Sequence, residues 1–285
     1  MQTIDTALVI LAGGLGSRFG GDKQIEPFGA QGHFLFEYAC YDAMQAGFQK
    51  VFIVVRPGTE ELVSQQLSKW IAPTRFEIVL QTQERTKPWG TAHALHFLFG
   101  KWEGPFLVLN ADDYYGPTIC STAQLLLQKG ESAAALAFAL GPTLSPNGPV
   151  ARGICKVTND GRLTGVEEVL KIQKVVGQIK DENGRVFTPD ALISMNAWLL
   201  PGSFLTHLSS TVAAFLECNY DNESIEIYLP KVINDFIEAG QIQFCVCAMP
   251  AEWFGLTYAE DLITAQEKIA LLEGSLYPTH FPEWS

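Results

Sequence analysis

The chain has 285 residues, 47% hydrophobic and 18% charged, which gives it enough apolar material for a sizeable core and excludes a disordered polar segment. Against 31 Asp and Glu there are only 19 Lys and Arg, a net charge of −12, which excludes a nucleic-acid scaffold, because a phosphate backbone needs clustered cations. The six Cys, at 40, 120, 155, 218, 245 and 247, contain no CxxC pair and read as reduced thiols; the apolar run 7–12 is too short for a leader or a membrane span, so no membrane partner and a cytoplasmic location are expected.

In chain order, residues 7–11 (ALVIL) predict a buried strand, 35–46 a helix, 51–55 (VFIVV) a second strand and 60–70 a second helix. Residues 76–80 predict a third strand, 91–99 a helix and 106–109 a fourth strand. Continuous β-branched runs alternating with helices indicate a parallel sheet covered on both faces, so the first ~115 residues read as a doubly wound α/β unit. Beyond it, 133–140 reads as a strand, and 154–157 and 163–169 flank the turn Asn159-Asp160-Gly161 as a hairpin. A strand at 191–199, helices near 201–216 and 228–239, a strand at 242–248 and a helix at 259–272 complete the pattern. The expectation is one Rossmann-like α/β domain over 1–285 with a doubly wound mixed sheet. Its halves are 1–116, for a nucleotide, and 117–285, for an acceptor, with a closing helix and a short aromatic tail at 273–285.

The first strand runs into Leu11–Gly29, LAGGLGSRFGGDKQIEPFG, where five Gly fall within ten residues beside Arg18 and Lys23. Glycine lets backbone N–H groups approach phosphate oxygens, Arg offers a planar fork and Lys a compact charge, so the segment reads as a triphosphate cradle. It is not a Walker loop, since Gly16-Ser17-Arg18-Phe19-Gly20-Gly21 is followed by Asp22, and not a dinucleotide fingerprint, since Phe19 holds the third glycine position. The segment resembles the LAGGxGxR…K signature of sugar-nucleotide pyrophosphorylases and related nucleotidyltransferases. That resemblance implies phosphate contacts from Gly13, Gly14, Gly16, Arg18 and Lys23, with Leu11 and Ala12 at the nucleotide.

Further segments carry the resemblance along the chain. Gln81 and Pro88-Trp89-Gly90-Thr91-Ala92-His93-Ala94 are similar to the family's Gln…GTAHA pattern, which implies base reading by Gln81, Gly90 and Thr91. Thr91 could cap the helix it opens, His93 reads as a packing residue, and Arg85 and Lys87 read equally as phosphate contacts or a solvated loop. Asn110-Ala111-Asp112-Asp113 ends a buried strand on adjacent carboxylates, where a hard cation such as Mg²⁺ finds oxygen ligands. The resemblance makes Asp112 the metal ligand, with Asp113 a water-mediated neighbour or a turn cap. Leu163–Lys171 resembles the strand with an acceptor-binding Glu, here Glu168, with Lys171 on the acceptor phosphate, and Asn196 matches a sugar-binding Asn.

The pattern departs from the family at Glu252-Trp253-Phe254-Gly255-Leu256-Thr257, where W-x-D-x-G-T would place a second metal-binding Asp at 255; Glu252 or a water is the expected substitute. The run 256–262 also resembles that of cytidylyltransferases acting on small alcohol phosphates. The resemblance therefore implies a Mg²⁺-dependent nucleotidyltransferase taking an NTP and a phosphorylated acceptor, first a sugar 1-phosphate, with catalytic Arg18, Lys23 and Asp112. The alternatives are an amino-alcohol or polyol phosphate cytidylyltransferase and a non-catalytic nucleotide-binding homologue. A glycosyltransferase is disfavoured, because Asp112 and Asp113 are adjacent rather than in an Asp-x-Asp motif. The sequence leaves open whether the chain forms a homo-oligomer.

Overall fold

The computed structural model describes residues 4–14, 19, 21, 23–82, 85, 87–250 and 252–285. Its principal strands are β1 (Ala7–Ala12), β2 (Lys50–Val55), β3 (Phe76–Leu80), β4 (Phe106–Asn110), β5 (Ala134–Ala139), β6 (Val150–Val157), β7 (Leu163–Val175), β8 (Leu192–Ser194), β9 (Trp198–Leu200) and β10 (Cys245–Ala248). The helices are α1 (Leu35–Gln45), α2 (Glu60–Leu67), α3 (Thr91–His96), α4 (Ile119–Gln128), α5 (Ser203–Asn219), α6 (Leu229–Glu238) and α7 (Asp261–Leu272). Hydrogen-bonded neighbours run β7-β6-β8-β5-β9-β4-β1-β2-β3, with short strands beyond β7 and β10 branching from β5. β1 is parallel to both β2 and β4, with Ala7 level with Lys50 and Phe106, whereas β9 meets β4 antiparallel, so the sheet is mixed as expected.

Side-chain alternation along β1 builds two cores. Leu8, Ile10 and Ala12 point to one face, with Val51, Ile53, Leu107 and Leu109, under α1 and α4. Ala7, Val9 and Leu11 point to the other, with Phe52, Val54 and Val108, under α3, α5 and α6. Each Val, Leu, Ile or Phe among them removed from water contributes about 1.5–3 kcal/mol before entropy is counted. The stripe Leu229, Val232, Ile233 and Phe236 repeats at helical spacing and fixes the buried face of α6, and Gly240, at a φ of 66°, ends the helix just beyond Ala239.

The sequence reading misses several boundaries. The strand expected over 191–199 is two, β8 and β9, separated around Asn196, whose φ is 59°. The helix expected to reach 99 ends at His96, the one expected to reach 70 ends at Leu67, and the strand expected from 242 starts at Cys245. The hairpin is longer than expected, and its register shifts between Val169 and Ile172. The tail folds back on the same chain. Phe281 stacks on His33 with ring centroids 4.1 Å apart, the Trp284 N–H donates to Trp70 O at 2.7 Å, and Tyr277 is 1% exposed.

Candidate active site

The chain leaves β1 toward β2 on one side, while β4, on the other side of β1, leads toward the antiparallel half. The crevice at the C-terminal ends of β1 and β4 is thus the switch point where open α/β sheets take ligands. A cleft of about 760 Å³ opens there. Gly13 and Gly14 follow β1 into it, and Asn110, Asp112 and Asp113 follow β4. Lys23 opens a single 3-10 turn, Lys23–Ile25, anchored by Gln24, whose amide donates to Gly14 O at 3.0 Å. The Lys23 ammonium ion-pairs with Asp112 Oδ2 and donates to Leu256 O at 2.7 Å. The cation after the glycine loop and the carboxylate after β4 therefore meet across the crevice. Arg18 and Gly16 lie outside the described residues.

On the nucleotide side, Leu11, Gln81, Gly90 and Thr91 line the cleft; Ala12 instead belongs to the core under α1. Gln81 is buried, with its amide nitrogen 3.3 Å from His93 Nδ1. Burial, then His96 and Arg85, push His93 down to about 4, so at neutral pH it is an uncharged ring packed edge-on to Phe97, in keeping with a packing role. Thr91 does not cap its own helix: its hydroxyl accepts the N–H of Leu229 at 2.9 Å and ties α3 to α6. Arg85 is neither a phosphate contact nor a solvated charge. It is buried, stacked 3.4 Å from the Trp89 ring, and donates to the carbonyls of Lys87, Pro88, Asn222 and Ile225, because four convergent carbonyls solvate a guanidinium that water cannot reach. Lys87 lines the cleft, paired with Glu226 at 2.5 Å.

On the opposite side, Glu168 and Asn196 line the cleft, and burial raises the Glu168 carboxyl above its usual range against the pull of Arg152. Lys171 does not reach it. The register shift after Val169 and a φ of 54° at Lys171 turn this side chain outward, 64% exposed and paired with Glu182 at 2.5 Å. Glu252 is likewise outside the lining, exposed beside Gly116, because the strand Phe254–Gly255 pairs with Asp113–Tyr114 and turns Trp253, not Glu252, into the cleft. Asp113 caps no turn: its Oδ2 accepts from Asn110 Nδ2 at 2.9 Å and Tyr115 OH at 3.2 Å. Burial, then the neighbouring Asp112 charge, push it up to about 7. Asn196 Nδ2 donates to Asn110 Oδ1 at 3.2 Å, so Asn196, Asn110 and Asp113 form one chain of hydrogen bonds from the acceptor side to the carboxylates.

Sequence reasoning missed Asn110, Trp253 and Arg152. Arg152 is 8% exposed at the cleft wall, donates to Thr143 O and Ala151 O, and lies 5.2 Å from the Trp253 ring. Its signal, one Arg after the loop-like run 141–150, was too plain to single out. Trp253 Nε1 is buried with no hydrogen-bond partner among the described residues.

This arrangement can hold a polyphosphate against cations and backbone and a hard cation against carboxylates. Residues 8–147 match the MobA-like NTP transferase domain. The nucleotidyltransferase resemblance read from the sequence agrees with that match, which spans the glycine loop, Lys23, Gln81 and the Asp112 segment. Among solved structures, the inositol-1-phosphate CTP transferase from T. maritima superposes with a TM-score of 0.69 at 16% identity, covering 96% of this chain and 99% of its own. A provisionally assigned glucose-1-phosphate thymidylyltransferase from Bacillus anthracis, in complex with a sucrose, superposes at 0.65 with 14% identity, covering 93% and 95%. At these identities the neighbours establish the shared fold over nearly the whole chain. No curated protein sequence matches the chain.

Proposed function

We propose that the chain transfers a nucleotidyl group from an NTP to the phosphate of a small acceptor, a sugar 1-phosphate first among the candidates, and releases pyrophosphate. The observation that carries this reading is the meeting of Lys23 and Asp112 at the switch-point end of the sheet, beside Gly13 and Gly14. An acceptor phosphate oxygen attacks the α-phosphorus, forms the new P–O bond, and the bond to the β-phosphate oxygen breaks with its electron pair leaving on pyrophosphate. The attacking oxygen is already anionic at neutral pH, so no general base is required, and positioning and charge neutralisation carry the rate. On this reading Lys23 would face the leaving phosphates, with Arg18 keeping the phosphate role that the resemblance implies, and Gln81 and the Gly90–Thr91 backbone would face the base.

On the acceptor side, Glu168 and Asn196 face the hydroxyl-bearing body, and Arg152 takes the acceptor-phosphate role once assigned to Lys171. The orphaned Trp253 indole N–H suits an acceptor oxygen. The residues also fit a divalent cation. Lys23 already seats a positive charge among the Asp112 carboxylate and Leu256 O, and no cluster of three or more His, Cys, Asp or Glu among the described residues could hold an ion alone. Mg²⁺, which binds through one or two carboxylates plus phosphate and water, suits such a site with Asp112 as ligand, and would neutralise charge on the α-phosphate.

A polyol phosphate with CTP is the second reading, favoured by the Leu256–Leu262 run, in which Asp261 accepts the N–H groups of Thr257 and Tyr258, and by the neighbour named for inositol 1-phosphate. A cytoplasmic setting agrees with six free thiols and with the lack, among the described residues, of a helix long and apolar enough to cross a membrane. Pyrophosphate release with Mg²⁺, four NTPs and a panel of sugar, polyol and amino-alcohol phosphates tests the reading. Turnover on one sugar 1-phosphate is expected; nucleotide binding without turnover on any acceptor would leave a regulatory homologue.

A further inference from the structure

Gly255 stands where the sequence pattern calls for a second metal-binding carboxylate, and the structure explains what fills its place. The strands Asp113–Tyr114 and Phe254–Gly255 pair antiparallel, with Gly255 directly opposite Asp113. A Cβ added at Gly255 would run into Asp113 Oδ1 and the Trp253 ring. The space above Gly255 is thus a cradle filled by a carboxylate from the facing strand. Asp113 is 7% exposed, lines the cleft, and both hydrogen bonds it accepts among the described residues end on Oδ2. Those bonds, from Asn110 and Tyr115, fix the carboxylate and direct Oδ1 to the Gly255 side. The Asn110 N–H donates to Tyr115 OH at 3.0 Å, so the holding group is itself held. Glu252, the other carboxylate of this segment, is exposed and outside the cleft.

We infer that Asp113 is the second carboxylate for the divalent cation, regained from across the ladder in place of the side chain absent at Gly255. The inference rests on the nucleotidyl-transfer reading for the presence of a cation, but its test is independent of turnover. Two carboxylates with the remaining positions left to phosphate and water is a donor set suited to Mg²⁺ or Mn²⁺. The prediction has a reciprocal form: positions 113 and 255 share one space, so either can carry the carboxylate but not both.

Mn²⁺ binding to the full chain, followed by the water-proton relaxation enhancement of bound Mn²⁺ over that of the Mn²⁺–nucleotide complex alone, with a non-hydrolysable NTP analogue present, tests this alongside thermal melts. Asp113→Asn should weaken Mn²⁺ binding at least tenfold, and Glu252→Gln should leave it unchanged. Gly255→Asp alone should lower the melting temperature, because the new side chain meets Asp113. The double variant Asp113→Gly/Gly255→Asp should bind Mn²⁺ more tightly than Asp113→Gly. Wild-type Mn²⁺ affinity in a folded Asp113→Asn protein, a tenfold loss in Glu252→Gln, or no recovery in the folded double variant would each overturn the inference. A wild-type chain that binds Mn²⁺ through Asp113 yet releases no pyrophosphate with any acceptor would count against the transfer reading alone.

Discussion

Lys23 and Asp112 are each about one-fifth exposed and stand on the wall of an open cleft rather than in either core, and ion pairs in contact with water contribute little to folding, about 0–1 kcal/mol. Their substitution therefore separates chemistry from stability. Lys23→Ala and Asp112→Ala should each reduce kcat by about 10²–10³-fold, as for a lost electrostatic stabiliser, with melting temperatures close to wild type. Turnover near wild type in either would remove that residue from the reaction. Arg152→Lys should raise the KM for the acceptor and leave the KM for the NTP unchanged, because a lysine keeps the charge but loses the planar fork; an equal rise in both would assign Arg152 a purely structural role. At this scale the sequence was legible in placing Gln81 and Asp112 at the cleft, since each follows the end of a parallel strand, and Lys23, since it follows the glycine loop after β1. It was not legible at Lys171, whose direction is decided by a bulge that has no local glycine, or at Arg152, whose carbonyl partners at Thr143 and Ala151 exist only after folding.

Among the elements, the start of α3 is the most constrained. Gly90 has a φ of 103°, open only to glycine, and a Cβ there would stand 2.5 Å from Ile227 O. The backbone is held in this form by the Ala92 N–H on Ile227 O at 3.1 Å and the Ile227 N–H on Trp89 O at 2.7 Å. Gly90→Ala should cost about 1–3 kcal/mol from backbone strain alone, seen as a lower melting temperature, and should weaken NTP binding in calorimetry. Unchanged stability would mean that the turn relaxes freely. The parallel strands were the easiest elements to find, since burial on both faces leaves an unbroken apolar run. The break at Asn196 was hidden inside an equally apolar run, because the Asn196 side chain is tied to Asn110, far back along the chain, as well as to Trp198 two residues on.

Over the whole molecule, the tail and α1 lock together around two buried carboxylates. Glu37 accepts from the Trp70 indole at 2.7 Å and the Gln66 amide at 2.9 Å, while Asp42 accepts from Tyr277 OH at 2.9 Å. Deleting 273–285 would strip Tyr277, Phe281 and Trp284 from the α1 side of the core and should lower the melting temperature by many degrees; a truncated chain melting like the full one would make the tail dispensable. Burial raises Asp42 to about 8, far above its value in the unfolded chain, so the folded protein binds the extra proton between about pH 4 and pH 8. Its contribution to stability is full at the acid end of that window and is lost as pH rises through 8. Asp42→Asn should melt like wild type near pH 4 and above it at pH 8, and an equal shift at both would point to a charged Asp42 throughout. The seating of Lys23 on Asp112 also bears on how a catalytic cycle begins. A free divalent ion arriving first meets an occupant tethered to the same chain, against which it competes at high effective concentration. On the proposed nucleotidyl-transfer reading, a triphosphate would draw that occupant toward itself and vacate the seat, so ion and nucleotide should arrive as one complex, and the resting protein should leave the ambient ion pool largely untouched.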